Sequence, residues 1–430
     1  MNKLNELRIA VIGLGYVGLP LARLFSTKFP VVGFDLNQNR VNELMQGVDS
    51  TLEVDSFLLK EAIQKKGFYC TTELNDIKTC NMYIVSVPTP VDYNKEPDLT
   101  PLRKASETIG MVISKDDVVV YESTVYPGVT EEECIPIVER VSGLKLNKDF
   151  YAGYSPERIN PGEKDRPVES IKKVTSGSTP EIADLIDAMY NSILLNGTHK
   201  APSIKVAEAS KIVENAQRDV NIAFMNELAK IFTAIGLNTS DVLKAAGTKW
   251  NFLPFKPGLV GGHCISVDPY YLIQWAQLYG VLPRIMTEAR RLNDGMGSYV
   301  ANETIKEMNM RGLVVKDADI LILGFTFKEN CPDIRNTKVI DIYTTLHSYT
   351  NNITIYDPIA DVDKVRQEYH IDLAHNALTQ HSGKYDAVIL AVAHDEFLGI
   401  DIRGFLKERT KGVVYDVKSV LHDGSYDRQL

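Results

Sequence analysis

A cysteine beside two glycines is the residue of this sequence best suited to covalent chemistry. Cys264 follows Gly261–His263 and lies close to a predicted helix start at Asp268. Glycine backbone leaves a sulfur accessible, and the positive end of a helix favours the thiolate, which is the nucleophilic form. The four remaining cysteines lack these surroundings and are expected to pack as small apolar side chains. They are Cys70, Cys80, Cys134 and Cys331.

Three further segments carry side chains that could assist such a nucleophile. Lys211 and Asn215 are four residues apart on a predicted helix, so one face presents both, and they could stabilise a developing oxyanion. Asp268 is an N-cap, a general base, or both. Glu157, after the strand-like segment 151–154, is a candidate acid or base. For each residue the alternative is an ordinary structural or solvated side chain.

A glycine-rich turn predicts a dinucleotide site near the start of the chain. Gly13, Gly15 and Gly18 follow an apolar strand and open a helix, and Asp35 ends the next strand. In this context the first glycine allows a tight turn, the second lets backbone approach the pyrophosphate, and the third permits close helix–strand packing. Asp35 would bind the ribose hydroxyls and repel a 2′-phosphate, which favours NAD over NADP. The alternative is a glycine turn that binds nothing.

Other residues near this turn are candidate cofactor contacts. Tyr16 and Val17 lie within it. Arg40 could cover the adenine or the ribose, or be a solvated surface arginine. Thr89, and Ser123 with Thr124, follow later strands at the carboxyl edge of the predicted sheet, where such ligands bind.

Two series of short apolar strands must position these residues, and both alternate with helices. This alternation of strands and helices is typical of a parallel sheet covered by helices. The second series resembles the first but has Gly324–Lys328 in place of the glycine triplet, so we expect it to hold a different ligand, with Lys328 supplying charge. The first series comprises 8–12, 31–34, 82–87 and 118–121, and the second comprises 320–325, 353–356, 386–392 and 413–416.

A helix of about 33 residues is predicted from Ser203 to Ile235, between Pro202 and Gly236. Its apolar side chains exceed what one buried face needs, so we expect it to pack against both its own domain and a partner subunit, or else to be wholly internal. The predicted fold class is α/β, with two Rossmann-like doubly wound domains joined by a central helical domain. The predicted bounds are 1–202, 203–312 and 313–430.

Composition excludes several classes of protein. A net charge of −9 over 430 residues argues against a nucleic acid partner. No apolar run is long enough to span a membrane, and the polar N-terminus does not resemble a signal peptide. Five cysteines without a close CxxC pair are typical of reduced thiols, so we expect a cytoplasmic protein without a metal site.

Together these motifs resemble the UDP-glucose/GDP-mannose dehydrogenase family. The resemblance implies an NAD-dependent, four-electron oxidation of C6 of a nucleotide-linked sugar, carried out by a homodimer that forms through the long helix. The matching segments, in order along nearly the whole chain, are 13–20, 122–125, 156–157, 210–211 with 215, 261–264 with 268, and 325–328 with 333–335.

The resemblance also assigns roles. Cys264 would attack the aldehyde left by the first oxidation, the thiohemiacetal would lose a second hydride to give a thioester, and water would release the carboxylate. Lys211 and Asn215 would stabilise oxyanions, Asp268 would be the base, and Thr124 with Glu157 would position water or relay protons. The implied cofactor contacts are the glycine turn, Asp35, Arg40, Thr89, Ser123, Thr124 and Arg335. The implied substrate contacts are Glu157, Arg158, Ile159, Asn160, Lys211, Asn215, Lys249, Phe255, Gly261 and Lys328.

The sequence departs from the UDP-glucose branch of that family. Pro161 stands where that branch tends to carry a second glutamate, and Val267 replaces a lysine before Asp268. The segment 249–258 instead resembles the N-acetylhexosamine branch. The expected substrate is therefore UDP-N-acetylglucosamine or UDP-N-acetylgalactosamine, followed by UDP-N-acetylmannosamine and UDP-glucose, and the product would be a precursor of surface polysaccharide.

Two other classes of protein stay open at this point. A two-electron hydroxyacid dehydrogenase can share the glycine turn and a helix with Lys and Asn, but it would explain neither Cys264 nor the second strand series. A non-catalytic module that senses a dinucleotide would bind NAD without turnover.

Overall fold

The computed structural model describes residues 3–92, 96–159, 167–262, 265–374 and 382–430. The chain divides into two compact units, Met1–Glu214 with Tyr270–Gly280 and Asn215–Pro269 with Val281–Leu430. Asn160 and Cys264, two of the predicted site residues, lie outside the described residues. Nowhere in the described ranges does a helix combine the length and the apolar character that crossing a membrane requires.

One sheet of eight strands forms the centre of the first unit. In chain order the strands are β1 Ile9–Ile12, β2 Val31–Phe34, β3 Tyr69–Thr71, β4 Met82–Val85, β5 Val118–Tyr121, β6 Tyr151–Tyr154, β7 Lys173–Gly177 and β8 Thr198–Lys200. Their order in the sheet is β3-β2-β1-β4-β5-β6-β7-β8. Strands β1 to β6 run parallel, and β7 is antiparallel to β6. The first six strands thus have the order of a dinucleotide-binding Rossmann sheet.

The central strands of this sheet are buried on both faces. Every residue of β1, β2, β4 and β5 is buried, as expected of parallel strands covered by helices. Strands β2, β5 and β6 have the predicted bounds, whereas β1 and β4 are one or two residues shorter. The helices of this unit are α1 Gly18–Phe25, α2 Gln38–Met45, α3 Ser56–Lys66, α4 Leu74–Ile77, α5 Thr100–Gly110, α6 Ile135–Ser142 and α7 Pro180–Asn191.

The long predicted helix is present as α8, Ile204–Ile235. The boundary between the two units falls within it, after Glu214. Several of its large apolar side chains are half exposed, so the alternative of a wholly internal helix is wrong. These exposed residues are Val206, Val213, Phe224, Ile231 and Ile235.

The second unit repeats the parallel arrangement on a smaller scale. Its sheet has the order β10-β9-β11-β12-β13, and all neighbours are parallel. The strands are β9 Ile320–Leu323, β10 Ile353–Tyr356, β11 Ala387–Leu390, β12 Val413–Asp416 and β13 Arg428–Gln429. The remaining helices are α9 Thr239–Ala246, α10 Asp268–Leu278, α11 Arg284–Asp294, α12 Met296–Met310, α13 Val339–His347 and α14 Val362–Tyr369. The predicted fold class, with two Rossmann-like sheets and a helical segment between them in the chain, is confirmed.

Candidate functional site

The turn after β1 has the geometry that its three glycines predict. Gly13 has a φ of +91°, which glycine adopts without a steric penalty. A Cβ on Gly18 would overlap the carbonyl oxygen of Gly13 and the hydroxyl of Ser86, so only glycine fits there. A Cβ on Gly15 would meet no described atom within 4 Å. The backbone at Gly15 is therefore open to a ligand, while Gly18 serves packing.

This contrast gives a paired prediction for two alanine variants. Gly18→Ala is expected to lower the free energy of unfolding by about 3 kcal/mol, because the methyl group overlaps backbone. Gly15→Ala is expected to leave that free energy within about 0.5 kcal/mol but to weaken NAD binding about tenfold, because the methyl group stands where the pyrophosphate would approach. Urea unfolding and calorimetric titration with NAD measure both. Unchanged NAD affinity in Gly15→Ala would remove this turn from the cofactor site.

A cavity of 350 Å³ adjoins this turn, at the carboxyl ends of β1, β2 and β4. Gly13, Asp35, Val87 and Pro88 line it, together with the first half of α5. Asp35 accepts backbone N–H groups from Leu14 and Asn37, at 2.9 Å each. Each carboxylate oxygen keeps a second lone pair, so Asp35 can still accept from ribose hydroxyls. The apolar walls, the acid and the open backbone fit the adenosine half of NAD.

The role of Asp35 is tested by Asp35→Ala. We expect a KM for NAD about tenfold higher and a narrower preference over NADP, because the variant loses both the ribose acceptor and the negative charge that repels a 2′-phosphate. Kinetics with both cofactors measure the ratio. The control is Asp55→Ala, which removes the carboxylate that accepts the N–H of Phe57 at the start of α3 and should not change cofactor selectivity. Unchanged selectivity in Asp35→Ala would exclude this residue from the site.

The other cofactor candidates of the first unit lie around the same edge. Tyr16, Val17 and Thr124 are half-buried. The hydroxyl of Ser123 donates to the carbonyl of Val87 at 2.6 Å. The carbonyl of buried Thr89 accepts the hydroxyl of Tyr271 at 2.9 Å. These bonds fix the loops after β4 and β5 at the carboxyl edge of the sheet.

Arg40 is buried, so the alternative of a solvated surface arginine is wrong. Its Nε donates to the carbonyl of Leu14 at 3.0 Å, and its guanidinium pairs with Glu43 and, at 2.8 Å, with Asp49. Arg40 thereby stabilises the glycine turn through the carbonyl of Leu14. Arg335, the remaining cofactor candidate, belongs to the second unit and forms a bidentate ion pair with Asp333.

Glu157, after β6, is buried and not a surface charge. Its Oε1 accepts the N–H of Ile159, and its Oε2 has no hydrogen-bond partner within the described ranges. Burial raises the pKa of Glu157 to about 7, against the opposing charges of Lys211 and Lys173. A carboxyl group with a pKa near 7 can both donate and accept a proton at neutral pH.

Lys211 is buried as well, and not a solvated helix lysine. It is the opposite charge with the largest effect on Glu157. Arg158, next to Glu157, is half-buried; it pairs with Glu214 on α8 and donates to the carbonyl of Lys172 at 2.6 Å. The structure therefore brings Glu157 and Lys211, which are 54 positions apart in the sequence, into one cluster of the first unit.

In the second unit, Asn215 donates from Nδ2 to the carboxylate of Asp268, the first residue of α10. Both side chains are buried. The structure thus joins two predicted catalytic residues and leaves neither of them solvated.

Side chains of the second unit hydrogen-bond to the backbone of Gly258, Gly262 and Ile265. Asn226 exchanges two hydrogen bonds with the backbone of Gly258, at 2.8 and 3.0 Å. Asn336 donates to the carbonyl of Gly262 at 3.1 Å, and Arg290 donates to that of Ile265 at 3.4 Å. Gly262 has a φ of +84°, and the ring of Phe327 occupies the space that a Cβ would need there. Gly261 and Gly262, at the start of one predicted motif, therefore pack against Phe327 of another.

Sequence reasoning missed the residues that anchor this segment. Arg290 pairs with Asp219 at 2.6 Å, Asn293 donates to Asp219 at 2.7 Å, and Asn226 donates to Asn293 at 2.8 Å. One signal could have found some of them, because α8 carries a stripe of buried polar residues at helical spacing. The stripe consists of Glu208, Lys211, Asn215, Asp219 and Asn226.

The other substrate candidates of the second unit lie in three places. Gly261 lies against Phe327, and Lys328, the residue after Phe327, is half-buried. Phe255 lines a cavity of 240 Å³ with Phe252, Lys256 and Lys418. Lys249, shortly after α9, is exposed.

The turn after β9 differs from the glycine turn as expected. Phe325 and Thr326 donate their N–H groups to one oxygen of Asp357, at 2.6 and 3.0 Å, and His394 lies 3.0 Å from the same oxygen. These hydrogen bonds hold the pKa of Asp357 well below its usual range. The amides that could bind a phosphate are occupied, which supports a different ligand for this half.

The four described cysteines are buried, as predicted. Burial raises the pKa of the Cys70 and Cys134 thiols to about 12 and that of Cys80 to about 11. None of these three thiols is activated as a nucleophile.

A Rossmann sheet with an open glycine turn, an acid at the end of β2 and a cavity between them defines an NAD-dependent oxidoreductase. The chain belongs to the UDP-glucose/GDP-mannose dehydrogenase family. Three models of this family match it: the NAD binding domain over residues 7–194, the central domain over 205–295 and the UDP binding domain over 321–423. The resemblance that the motifs indicated is confirmed, and so is NAD as the cofactor.

Named relatives match the whole chain. It is 56% identical to a UDP-N-acetyl-D-glucosamine 6-dehydrogenase from Pseudomonas aeruginosa, over 99% of this chain and 100% of the relative. It is 50% identical to Protein CapL from Staphylococcus aureus, over 96% of each chain. Among solved structures, UDP-D-ManNAc dehydrogenase from Pyrococcus horikoshii superposes with a TM-score of 0.90 at 28% identity, covering 98% of both chains.

Proposed function

We propose that this protein oxidises C6 of UDP-N-acetylglucosamine to a carboxylate, in two steps that each reduce one NAD. The observation that carries the choice of sugar is the full-length likeness, at 56% identity, to a relative named for that activity. The N-acetylhexosamine character of segment 249–258 supports the same choice, with UDP-N-acetylgalactosamine as the alternative.

NAD supplies the hydride acceptor when it is bound, and the residues that would hold it are the glycine turn and Asp35. Arg40 would support the turn, whereas Tyr16, Val17, Thr89, Ser123, Thr124 and Arg335 are the other proposed contacts. The open backbone at Gly15 and the 350 Å³ cavity beside Asp35 support this assignment.

The proposed covalent step uses Cys264. Its thiolate adds to the C6 aldehyde, and loss of hydride from the thiohemiacetal gives a thioester. Water then breaks the carbon–sulfur bond, so the carboxylate leaves and the thiol is restored. Asp268, oriented by Asn215, would take the proton of the C6 alcohol. Lys211 and Asn215 would stabilise the oxyanions, and Glu157 with Thr124 would activate the water.

The substrate contacts follow from the same assignment. The proposed contacts of the nucleotide sugar are Lys249, Phe255, Gly261 and Lys328, and also Glu157, Arg158, Ile159 and Asn160. The occupied amides at Phe325 and Thr326 favour a side-chain charge, Lys328, over bare backbone as the phosphate contact.

The test is an assay of NADH release with a panel of UDP-N-acetylglucosamine, UDP-N-acetylgalactosamine, UDP-N-acetylmannosamine and UDP-glucose. We expect the highest kcat/KM for the first, two NADH per product, and a product heavier by one oxygen and lighter by two hydrogens. One NADH per product would indicate two-electron chemistry, as in a hydroxyacid dehydrogenase. Binding of NAD without turnover of any sugar would indicate a sensing module.

We further propose a homodimer, in the cytoplasm, whose product is a precursor of surface polysaccharide. The half-exposed apolar side chains of α8 support the dimer, because Val206 and Val213, and Phe224 and Ile231, are seven residues apart and so share a helix face. Light scattering in solution tests it, and a mass of one chain would contradict it.

A further inference from the structure

A buried ion pair lies beside Glu157 in the first unit, and the reaction proposed above does not use it. The Nζ of Lys173 lies 2.5 Å from an oxygen of Glu122, and both side chains are buried. Tyr190 donates its hydroxyl hydrogen to the other oxygen of Glu122. The ammonium of Lys173 also lies 5.2 Å from the centre of the Tyr190 ring. Both oxygens of Glu122 are therefore occupied.

The sheet brings this pair to Glu157. Glu122 follows β5, and Glu157 follows β6, its parallel neighbour. Lys173 begins β7, which is antiparallel to β6 with Tyr154 opposite Ser176. The start of β7 and the ends of β5 and β6 therefore lie at the same edge of the sheet. This register sets Lys173 beside the segment that carries Glu157.

The pair is hard to explain by stability alone. Removing two charges from water is costly, and apolar side chains of similar volume often fill such a space with equal or greater stability. Glu157 is more than nine-tenths buried, and its Oε2 has no hydrogen-bond partner among the residues that the structure describes. A buried carboxyl group without its own complete set of partners depends on the charges around it.

The charged and titratable groups that act on Glu157 come from four elements. They are Lys211 on α8, Lys173 on β7, Glu122 after β5 and Tyr190 on α7. Lys211 and Lys173 favour the carboxylate form of Glu157, and Glu122 opposes it.

We propose that Lys173 and Glu122 are positioning residues that hold Glu157 able to exchange a proton at neutral pH, an inference that rests on the acid or base role proposed for Glu157. Lys173 supplies a positive charge behind the carboxyl group. Glu122 and Tyr190 fix that charge in place and limit its effect, so neither member of the pair has to touch substrate.

The two members of the pair act on Glu157 in opposite directions. Lys173 lowers the pKa of Glu157 more than Glu122 raises it. Lys173→Met is therefore expected to raise that pKa by about one pH unit, even if Glu122 then becomes protonated. Glu122→Gln is expected to lower it, because Lys173 is left without its partner. A residue that only supports the fold would not produce shifts of opposite sign.

The experiment is a pH titration of the Glu157 carboxyl group by carbon-13 NMR of the full-length protein. The resonance is assigned by its absence from Glu157→Gln. The expected result is a higher midpoint in Lys173→Met, a lower midpoint in Glu122→Gln and a nearly unchanged one in Lys173→Arg. If Lys173→Met does not fold, the double variant Lys173→Met/Glu122→Gln takes its place, because it removes both charges of the pair. The double variant should raise the midpoint by less than Lys173→Met would.

Matched control variants are Lys205→Met and Glu132→Gln, which break an exposed Lys–Glu pair of the same unit, 2.6 Å apart. Neither should move the midpoint. Shifts of the same sign in both test variants, or no shift, would overturn the proposal. The acidic limb of the pH–rate profile is measured on the same variants. If the NMR midpoints move as expected but this limb does not, Lys173 and Glu122 do control the pKa of Glu157. In that case the acid or base role proposed for Glu157 in the reaction is wrong.

Discussion

Cys264→Ser is expected to abolish carboxylate production, with the rate of uronate formation falling about 10³-fold or more. A hydroxyl group of ordinary pKa is a far weaker nucleophile than a thiolate toward the aldehyde. Its ester would also be a poorer acyl carrier than a thioester. The first oxidation should remain, so the variant should stall at the aldehyde or at a trapped hemiacetal. Mass spectrometry of the sugar and of the intact protein distinguishes these two products.

The control for this variant is Cys80→Ser. Cys80 is buried, and burial raises the pKa of its thiol to about 11, so it undergoes the same chemical change without being an activated nucleophile. Cys80→Ser should retain full carboxylate production. Full production by Cys264→Ser as well would disprove the covalent scheme, and loss of the first hydride transfer would indicate that the cysteine serves substrate binding instead.

Lys211→Met is expected to lower kcat about 10²- to 10³-fold while changing the free energy of unfolding by only about 1 kcal/mol. The ammonium group would stabilise an oxyanion that exists only during the reaction, so its loss should affect turnover more than folding. Burial already raises the pKa of Glu157 to about 7, so its carboxyl group can take up a proton when the charge of Lys211 is removed. This limits the loss of folding stability in the variant. Steady-state kinetics and urea unfolding measure the two effects.

Lys205→Met is the matched control for Lys211→Met. It removes a lysine from the same helix, six residues earlier, where the side chain is exposed and pairs with Glu132 at 2.6 Å. It should change neither kcat nor stability appreciably. Equal losses of turnover and stability in Lys211→Met would assign that lysine a structural role.

The two nucleotide-like halves of this chain differ in how they use the same backbone turn. In the first half, Asp35 accepts only one amide of the turn, that of Leu14, and Gly15 stays open. In the second half, Asp357 accepts two amides of the turn, those of Phe325 and Thr326, and contacts a buried histidine. An aspartate after the second strand of each half can therefore leave the amides of the turn free to bind a phosphate, as Asp35 does. It can also accept those amides itself, as Asp357 does. This difference explains why only one half has the form of a dinucleotide site.

The sequence by itself determined the glycine turn, most of the strands, the long helix and the family. Each of these depends on the chemistry of a few consecutive residues: a positive φ at Gly13, a missing Cβ at Gly18, and buried β-branched strands between turns. Such requirements are local, so they can be derived from residue type and spacing.

Only the tertiary structure decided which polar side chains are buried and which charges they meet. Glu122 meets Lys173 across 51 residues and Tyr190 across 68, and Asp219 meets Arg290 across 71. Sequence spacing carries no information about such pairs, because the packing of distant strands and helices creates them. The proton affinity of a carboxyl group follows from that packing, through desolvation and neighbouring charge. The sequence therefore left open whether Glu157 is an acid or base or an ordinary surface charge, and the packing makes it a buried group with a pKa near 7.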